Sequence, residues 1–252
     1  MTVPLIEAKG LCMRYPTGRL ALQSASLTVQ PGELAVILGA NGCGKSTMLR
    51  IIAGMIKPTG GEVRIAGRDI TQLAGRALAE ARMALGMVFQ QPHLVRRRSV
   101  LANVLTGTLG RHRTIYTALG GLPRAEIPHG MGCLKQVGLS HFAQQRATTL
   151  SGGQAQRAAI ARALAQRPRA LLADEPVASL DPEAAEEVMR LLRQLATREG
   201  MAVLCVLHQP ELARRYADRL LGLRQGVIAF ADAPDKVSPA EIDSLYEGFH
   251  PA

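Results

Sequence analysis

The chain has 252 residues, enough for one large or two small domains around a sizeable core, and a formal net charge of +10. No stretch approaches the roughly 18 consecutive apolar residues of a membrane span. Residues 1–9 lack the basic start and apolar stretch of a signal peptide. We therefore expect a cytosolic protein, and four scattered cysteines without a C-x-x-C pair suit that reducing compartment.

The positive charge gives little support for nucleic acid as a partner. The arginines are spread along the chain, and Arg96–Arg98 is their one tight cluster. The sequence has no Trp and only four Phe and four Tyr, so few rings are present to stack on bases. We expect no nucleic acid partner.

Three strands are predicted near the N-terminus. The first two, Leu5–Met13 and Ala25–Val29, flank a turn at Arg14–Gly18. The third, Leu34–Leu38, is a short apolar run, long enough for a buried strand and too short for a helix. An amphipathic helix is predicted at Thr47–Ala53, with its start near Lys45.

The loop between this third strand and the helix fits the P-loop pattern G-x-x-x-x-G-K-[ST]. Its residues, which with Thr47 are the predicted phosphate-binding set, are Gly39, Ala40, Asn41, Gly42, Cys43, Gly44, Lys45 and Ser46. Glycines let successive N–H groups face a phosphate, Lys45 can reach the β- and γ-phosphates, and Ser46 can ligate Mg²⁺. A Gly-rich turn without a ligand is the alternative, but the strand–loop–helix context favours nucleoside triphosphate binding.

Cys43 lies inside this loop. Backbone N–H groups, the helix dipole and Lys45 are expected to favour its thiolate and make it more reactive than an ordinary thiol. A small residue that fills the loop and has no redox role is the alternative, and we expect that to hold in the cell. Alkylation of Cys43 is nevertheless expected to block nucleotide binding, and bound MgATP to protect it.

Further along, alternating strands and helices enclose a segment with helical periodicity, residues 93–165. The predicted strands are Glu62–Ile65, Leu85–Phe89, Ala170–Ala173 and Ala202–Leu207, with a hairpin at Arg219–Phe230. The predicted helices outside the segment are near Arg76–Met83 and at Pro182–Thr197 and Glu211–Asp218. The pattern is that of an α/β core interrupted by a helical insert.

A second motif opens the predicted helix Ala155–Ala165. It has Ser151 as a good N-cap, followed by Gly152, Gly153 and Gln154, where the glycines expose backbone N–H groups to an anion. A simple helix cap is the alternative. Leu-Ser-Gly-Gly-Gln together with a P-loop nevertheless resembles the signature of the ABC-transporter ATPases.

The resemblance assigns further roles to residues at strand ends. Asp174 and Glu175 follow an apolar run and resemble the Walker B pair, which makes Asp174 a metal-site residue and Glu175 the catalytic base. An acidic helix cap is the alternative. His208 matches the switch histidine that contacts the γ-phosphate, and Gln90 the Q-loop glutamine that binds Mg²⁺ and water. Tyr15 resembles the aromatic residue that stacks on adenine, although a Tyr packed at a strand edge would look the same.

The resemblance covers essentially the whole chain and implies one ABC ATPase domain. Its fold class is α/β, with a RecA-like P-loop NTPase core, an N-terminal antiparallel β subdomain and an inserted α-helical subdomain. Residues 1–92 and 162–252 are expected to form the nucleotide-binding core, and residues 93–161 the helical signature subdomain.

Within this family, segments such as Gln90–Val95 and Leu207–Gln209 look like the phosphonate-importer ATPases. That branch implies an enzyme that uses MgATP and forms a head-to-tail homodimer on permease subunits at the cytoplasmic face of the inner membrane. A phosphonate-binding protein would deliver the ligand. An importer of phosphite or another small oxyanion, a soluble ABC ATPase and a P-loop kinase are the alternatives.

Arg96–Arg98 follow the segment that meets the permease and are expected to contact acidic groups on it, anionic lipid or only solvent.

Overall fold

The structure, a computed structural model, describes residues 3–112, 117 and 121–247. The strands are β1 Ile6–Arg14, β2 Leu20–Val29, β3 Leu34–Leu38, β4 Gly60–Ile65, β5 Arg68–Asp69, β6 Leu85–Val88, β7 Ala170–Asp174, β8 Ala202–Val206, β9 Arg219–Arg224 and β10 Val227–Asp232. The α-helices are α1 Lys45–Ile52, α2 Gly75–Ala81, α3 Val100–Leu105, α4 Ile127–Gln136, α5 Gly152–Ala165, α6 Pro182–Glu199, α7 Pro210–Tyr216 and α8 Pro239–Ser244.

The strands form two sheets. An antiparallel sheet has the order β2-β1-β4-β5, and a second sheet has the order β10-β9-β3-β8-β7-β6. In the second sheet all neighbours are parallel except β10, which pairs antiparallel with β9 as the predicted terminal hairpin. The expected antiparallel N-terminal sheet and α/β core are therefore both confirmed.

Strand β3 lies at the centre of the molecule because both of its faces are buried. Its side chains alternate between the two sides of the sheet, as they must in any strand. Leu34, Val36 and Leu38 pack in the core formed with α3, α4, α5 and α6. Ala35 and Ile37 pack in the core formed with the antiparallel sheet and α1. The loop after β3 is therefore anchored at the junction of both layers.

Some element boundaries differ from the prediction for local reasons. Strand β2 begins at Leu20 rather than Ala25 and continues through Ser24, whose φ of +53° accompanies register shifts against β1. Helix α7 ends at Tyr216 rather than Asp218, because Ala217 is extended and the Asp218 carboxylate accepts the Leu34 N–H at 2.9 Å. Strand β5 was not predicted.

The predicted helical segment contains α3, α4 and α5, but residues 113–116 and 118–120 lie outside the described part. The division into residues 1–92, 93–161 and 162–252 stays a prediction. Its second boundary falls within α5, so that helix extends into both parts. Across the described residues, no helix has the length and apolarity needed to cross a membrane.

Candidate active site

The predicted site residues come together at one edge of the six-stranded sheet. Strands β3, β8 and β7 are parallel neighbours, so their carboxyl ends meet there. The P-loop follows β3, Glu175 follows β7, and His208 follows β8 after Leu207. Three segments distant in sequence thus form a single edge.

The P-loop needs its glycines for both conformation and space. Gly39, Gly42 and Gly44 have φ values of +152°, +80° and +116°, where L side chains are strained. A Cβ on Gly39 would lie 2.2 Å from the Leu223 carbonyl oxygen, and one on Gly44 would lie 2.4 Å from that of Ala21. Gly39 and Gly44 are therefore required by both backbone conformation and space, and Gly42 is favoured by its backbone conformation.

Lys45 is buried at the start of α1, with 4% of its surface exposed. Its Nζ donates to the carbonyl oxygens of Gly39 and Ala40 at 2.7 and 2.9 Å, which fixes the ammonium group along the inside of the loop. Burial lowers the pKa of Lys45, while the nearby Cys43, Glu175 and Asp174 oppose that shift. The Lys45 ammonium group is therefore fixed in position near the carboxylates of Asp174 and Glu175.

Ser46 and Asp174 face each other beside this cation. The Ser46 hydroxyl donates to Asp174 Oδ1 at 3.4 Å. Burial raises the pKa of Asp174, and the neighbouring Glu175 charge raises it further. The described residues contain no group of three or more His, Cys, Asp or Glu side chains suited to a metal. A hydroxyl and one carboxylate nevertheless fit Mg²⁺, which takes few protein ligands and completes its shell with phosphate and water.

Glu175 and His208 form the second pair at this edge. His208 Nε2 lies 2.5 Å from Glu175 Oε1, and both side chains are partly exposed. Glu175 has a φ of +51°, a left-handed backbone that costs about 1 kcal/mol or more in a residue other than glycine. Such strain is common at functional sites, and here it sets the direction of the carboxylate beyond the end of β7.

Two further predicted residues are Tyr15, which borders the loop, and Gln90, which follows the outer strand β6 of the same sheet. The Tyr15 hydroxyl lies 3.1 Å from Thr47 Oγ1, which places the ring beside the start of α1. Gln90 is exposed just after β6, and β6 pairs with β7. Both positions are compatible with the expected roles.

The signature residues form a well-capped start of helix α5. Ser151 caps α5, its Oγ accepting the Gln154 N–H at 3.3 Å, while Gln154 Oε1 accepts the Ser151 N–H at 3.0 Å. Gly153 allows α5 to approach α6, since a Cβ there would lie 2.8 Å from Ala184 Cβ. Within the described residues these hydrogen bonds stay inside the motif and do not reach the phosphate loop.

The predicted high reactivity of the Cys43 thiol was wrong, while its place in the phosphate-binding loop stays a prediction. Its side chain is 2% exposed, and burial raises the pKa of the thiol despite the opposing effects of the Lys45 charge and backbone N–H groups. Packing inside the curled loop, where Gly39 lies close to the Cys43 sulfur, outweighs the electrostatic effects. The thiol is therefore less ionised than an ordinary one.

Two contributors to the site were missed. Arg19 Nη2 donates to the Gly42 carbonyl oxygen at 2.8 Å, and nothing local in the sequence signals this contact. Gln156, on α5, is 1% exposed and donates to the Phe89 carbonyl oxygen at 3.0 Å. A polar side chain on the buried face of a helix needs such a partner, and that rule could have drawn attention to Gln156.

Comparison with known families agrees with this geometry. Residues 22–178 match the family model described as ABC transporter. The chain belongs to the ABC transporter family. As in the resemblance drawn above, the matched span contains both the P-loop and the signature.

Three similar proteins, two import ATP-binding proteins and one ATP-binding cassette, show which kinds of ABC protein the chain is like. A phosphonates import ATP-binding protein, PhnC, of Frankia casuarinae is 51% identical over 90% of each chain. A phosphite import ATP-binding protein, PxtA, of Stutzerimonas stutzeri is 45% identical, over 97% of this chain and 88% of the other. The ATP-binding cassette MJ0796, solved as a dimer bound to ADP and Pi, has a TM-score of 0.78 and 34% identity, over 91% of this chain and 98% of the other.

Proposed function

We propose that this protein is the ATP-hydrolysing subunit of an ABC importer for phosphonates, with phosphite as the alternative cargo. The observation that carries the proposal is the assembly of Lys45, the Ser46–Asp174 pair and the Glu175–His208 pair at one sheet edge. The names of the relatives support the cargo, since relatives of similar identity are described as phosphonate and phosphite importers.

Different residues of the chain have different roles in ATP hydrolysis. The loop N–H groups and Lys45 hold the β- and γ-phosphates, and Tyr15 stacks on adenine. Glu175 takes a proton from the attacking water, and His208 orients the Glu175 carboxylate and contacts the γ-phosphate. Water and ATP then give ADP and phosphate. Mg²⁺, held by Ser46, Asp174 and Gln90, would supply charge stabilisation on the phosphates.

The complete site is proposed to need a second copy of the chain. The capping box uses the N–H groups of Ser151 and Gln154, which leaves those of Gly152 and Gly153 at the helix start for a phosphate, and neither capping bond reaches the P-loop of the same subunit. A head-to-tail dimer would place them on the partner subunit's ATP. The dimeric form of the similar cassette MJ0796 supports this arrangement.

The permease is proposed to dock beside the Q-loop. A cleft of about 380 Å³ lies there between the α/β core and the helical segment, and Met55, Met83, Met87 and Phe89 are in its lining. Flexible methionine side chains suit an apolar helix that changes orientation during a transport cycle. In this arrangement the protein is peripheral at the cytoplasmic face of the inner membrane, and a phosphonate-binding protein delivers cargo on the other side.

Reconstitution in liposomes tests the proposal. The protein is combined with a candidate permease and a phosphonate-binding protein from the same organism, and ATP hydrolysis is measured with methylphosphonate, phosphite or phosphate. Stimulation by loaded binding protein, strongest with methylphosphonate, is expected. Stimulation by phosphite alone would assign the alternative cargo, and hydrolysis indifferent to permease and ligand would overturn the importer function.

A further inference from the structure

The backbone on both sides of Gln90 is attached to the signature helix by two side chains. Gln156 Nε2 donates to the carbonyl oxygen of Phe89, the residue before Gln90, at 3.0 Å. Arg162 Nη2 and Nη1 donate to the carbonyl oxygens of Pro92 and His93 at 2.7 and 2.8 Å. Gln90 thus lies within a short span whose two ends are both held by α5.

The Gln156 contact is protected from water, whereas the Arg162 contacts are only partly buried. Gln156 is 1% exposed, so its amide cannot exchange the Phe89 carbonyl for solvent without a desolvation cost. Burial lowers the pKa of Arg162, but a guanidinium stays charged in a protein, and its planar fork reaches two carbonyl oxygens at once. These are the stronger, charge-assisted type of hydrogen bond.

The same helix also carries the signature. Ser151 caps α5, and Gln156 follows within the first turn and a half. A displacement of the signature, as when it meets the ATP of a second copy, must therefore move the backbone around Gln90 or break these bonds. The site in one subunit would sense the occupancy of the other through a single rigid element.

We propose that Gln156 and Arg162 are positioning residues that fix Gln90 to the signature helix and so couple the two ATP sites of the dimer. This inference rests on the proposed role of Gln90 at the Mg²⁺ site. Neither residue touches ATP in this account, and both act through the backbone of the segment 89–93.

Gln166, which caps the C-terminus of the same helix, provides a matched control. Its Nε2 donates to the carbonyl oxygens of Arg82, Met83 and Leu85 at 3.0, 3.3 and 2.8 Å, at the opposite end of β6 from Gln90. Replacing it removes the same kind of bond from the same helix without touching the segment that carries Gln90.

A double-mutant cycle on hydrolysis by the purified protein tests the coupling. Gln156→Met is expected to lower the maximal rate and raise the Mg²⁺ concentration for half-maximal hydrolysis by roughly tenfold, the usual effect of losing an outer-shell partner. In a Gln90→Ala background the same change should have no further effect on rate. Gln166→Met should change the rate by an equal factor in both backgrounds.

The outcomes separate the inference from its premise. If Gln90→Ala leaves hydrolysis and its Mg²⁺ dependence unchanged, the proposed role of Gln90 fails. If Gln90→Ala is impaired but Gln156→Met adds its full effect to it, the positioning role is wrong. Arg162→Lys, which keeps the charge but lacks the planar fork that reaches both carbonyl oxygens, tests the other end of the same span if the Met variant does not fold.

Discussion

Glu175 and His208, at the ends of neighbouring parallel strands, share a hydrogen bond of 2.5 Å between Oε1 and Nε2. With the proton on Nε2, the imidazole donates to the carboxylate oxygen and holds it in the position that a general base requires. The φ of +51° at Glu175 and the bond to His208 together restrict the carboxylate to one direction.

Glu175→Gln should retain ATP binding and lose most turnover. The phosphate loop is untouched, whereas loss of a general base typically lowers the rate by ~10²–10⁴. Equilibrium MgATP binding and phosphate release measure the two effects, and the variant should elute as an ATP-bound dimer on size exclusion. The exposed Glu199→Gln is the control. Near-normal hydrolysis by Glu175→Gln would remove the residue from this role.

Gly39→Ala should destabilise the fold by about 1–3 kcal/mol, because the added Cβ would overlap the Leu223 carbonyl oxygen in a strained backbone region. Gly132→Ala is the matched control: its Cβ would meet nothing within 4 Å inside α4, so a gain of roughly 0.5–1 kcal/mol is expected. Thermal unfolding of both variants measures the difference. Equal melting temperatures for Gly39→Ala and wild type would contradict the loop geometry.

Maleimide should label Cys43 more slowly than Cys12 at neutral pH, by about tenfold or more. Cys43 is buried and its pKa is raised, so its thiolate is scarce until the pH rises toward that higher pKa, whereas Cys12 is partly exposed. Labelling of Cys43 should therefore accelerate with pH, and MgATP should slow it. Peptide mapping follows both sites, and preferential labelling of Cys43 at pH 7 would contradict its burial.

Replacing Arg96, Arg97 and Arg98 with Gln should weaken assembly with the permease, more at low salt than at high salt. All three are exposed, and no described residue forms an ion pair with them, while Thr148 and Ala147 N–H groups hold the backbone of Arg96 and Arg98. Hydrolysis by the isolated subunit should be unchanged. Assembly of the variant and of the wild type with the permease is measured across a salt series. If the two assemble equally well at every salt concentration, the arginine cluster contacts only solvent.

Sequence reasoning succeeded where structure is dictated locally. The strand Leu34–Leu38, the glycines of the P-loop and the cap at Ser151 were all predicted, because each depends on a few adjacent residues. The charges of Asp174 and Glu175 after an apolar run likewise indicated a strand end. Most residues of the proposed site belong to these locally determined features.

What was missed depends on packing between distant segments. Burial of Cys43 results from the curl of the loop, and its electrostatic neighbours alone gave the wrong direction for its pKa. The contacts of Gln156 and Arg162 join residues about seventy positions apart, beyond any local pattern. Strand β2 was shortened in the prediction because the irregularity at Ser24 interrupts its alternation.

Phosphate release from MgATP by the purified Ser151→Arg variant tests the central claim most directly. Within the described residues Ser151 forms hydrogen bonds only with Gln154 and Ala155 of its own helix, so ATP binding to the P-loop of the same subunit should persist at wild-type affinity. If the site is completed by the signature of a second copy, hydrolysis should fall to background. The wild-type rate per subunit should also rise with protein concentration. Hydrolysis by Ser151→Arg at the wild-type rate would contradict a site shared between two copies.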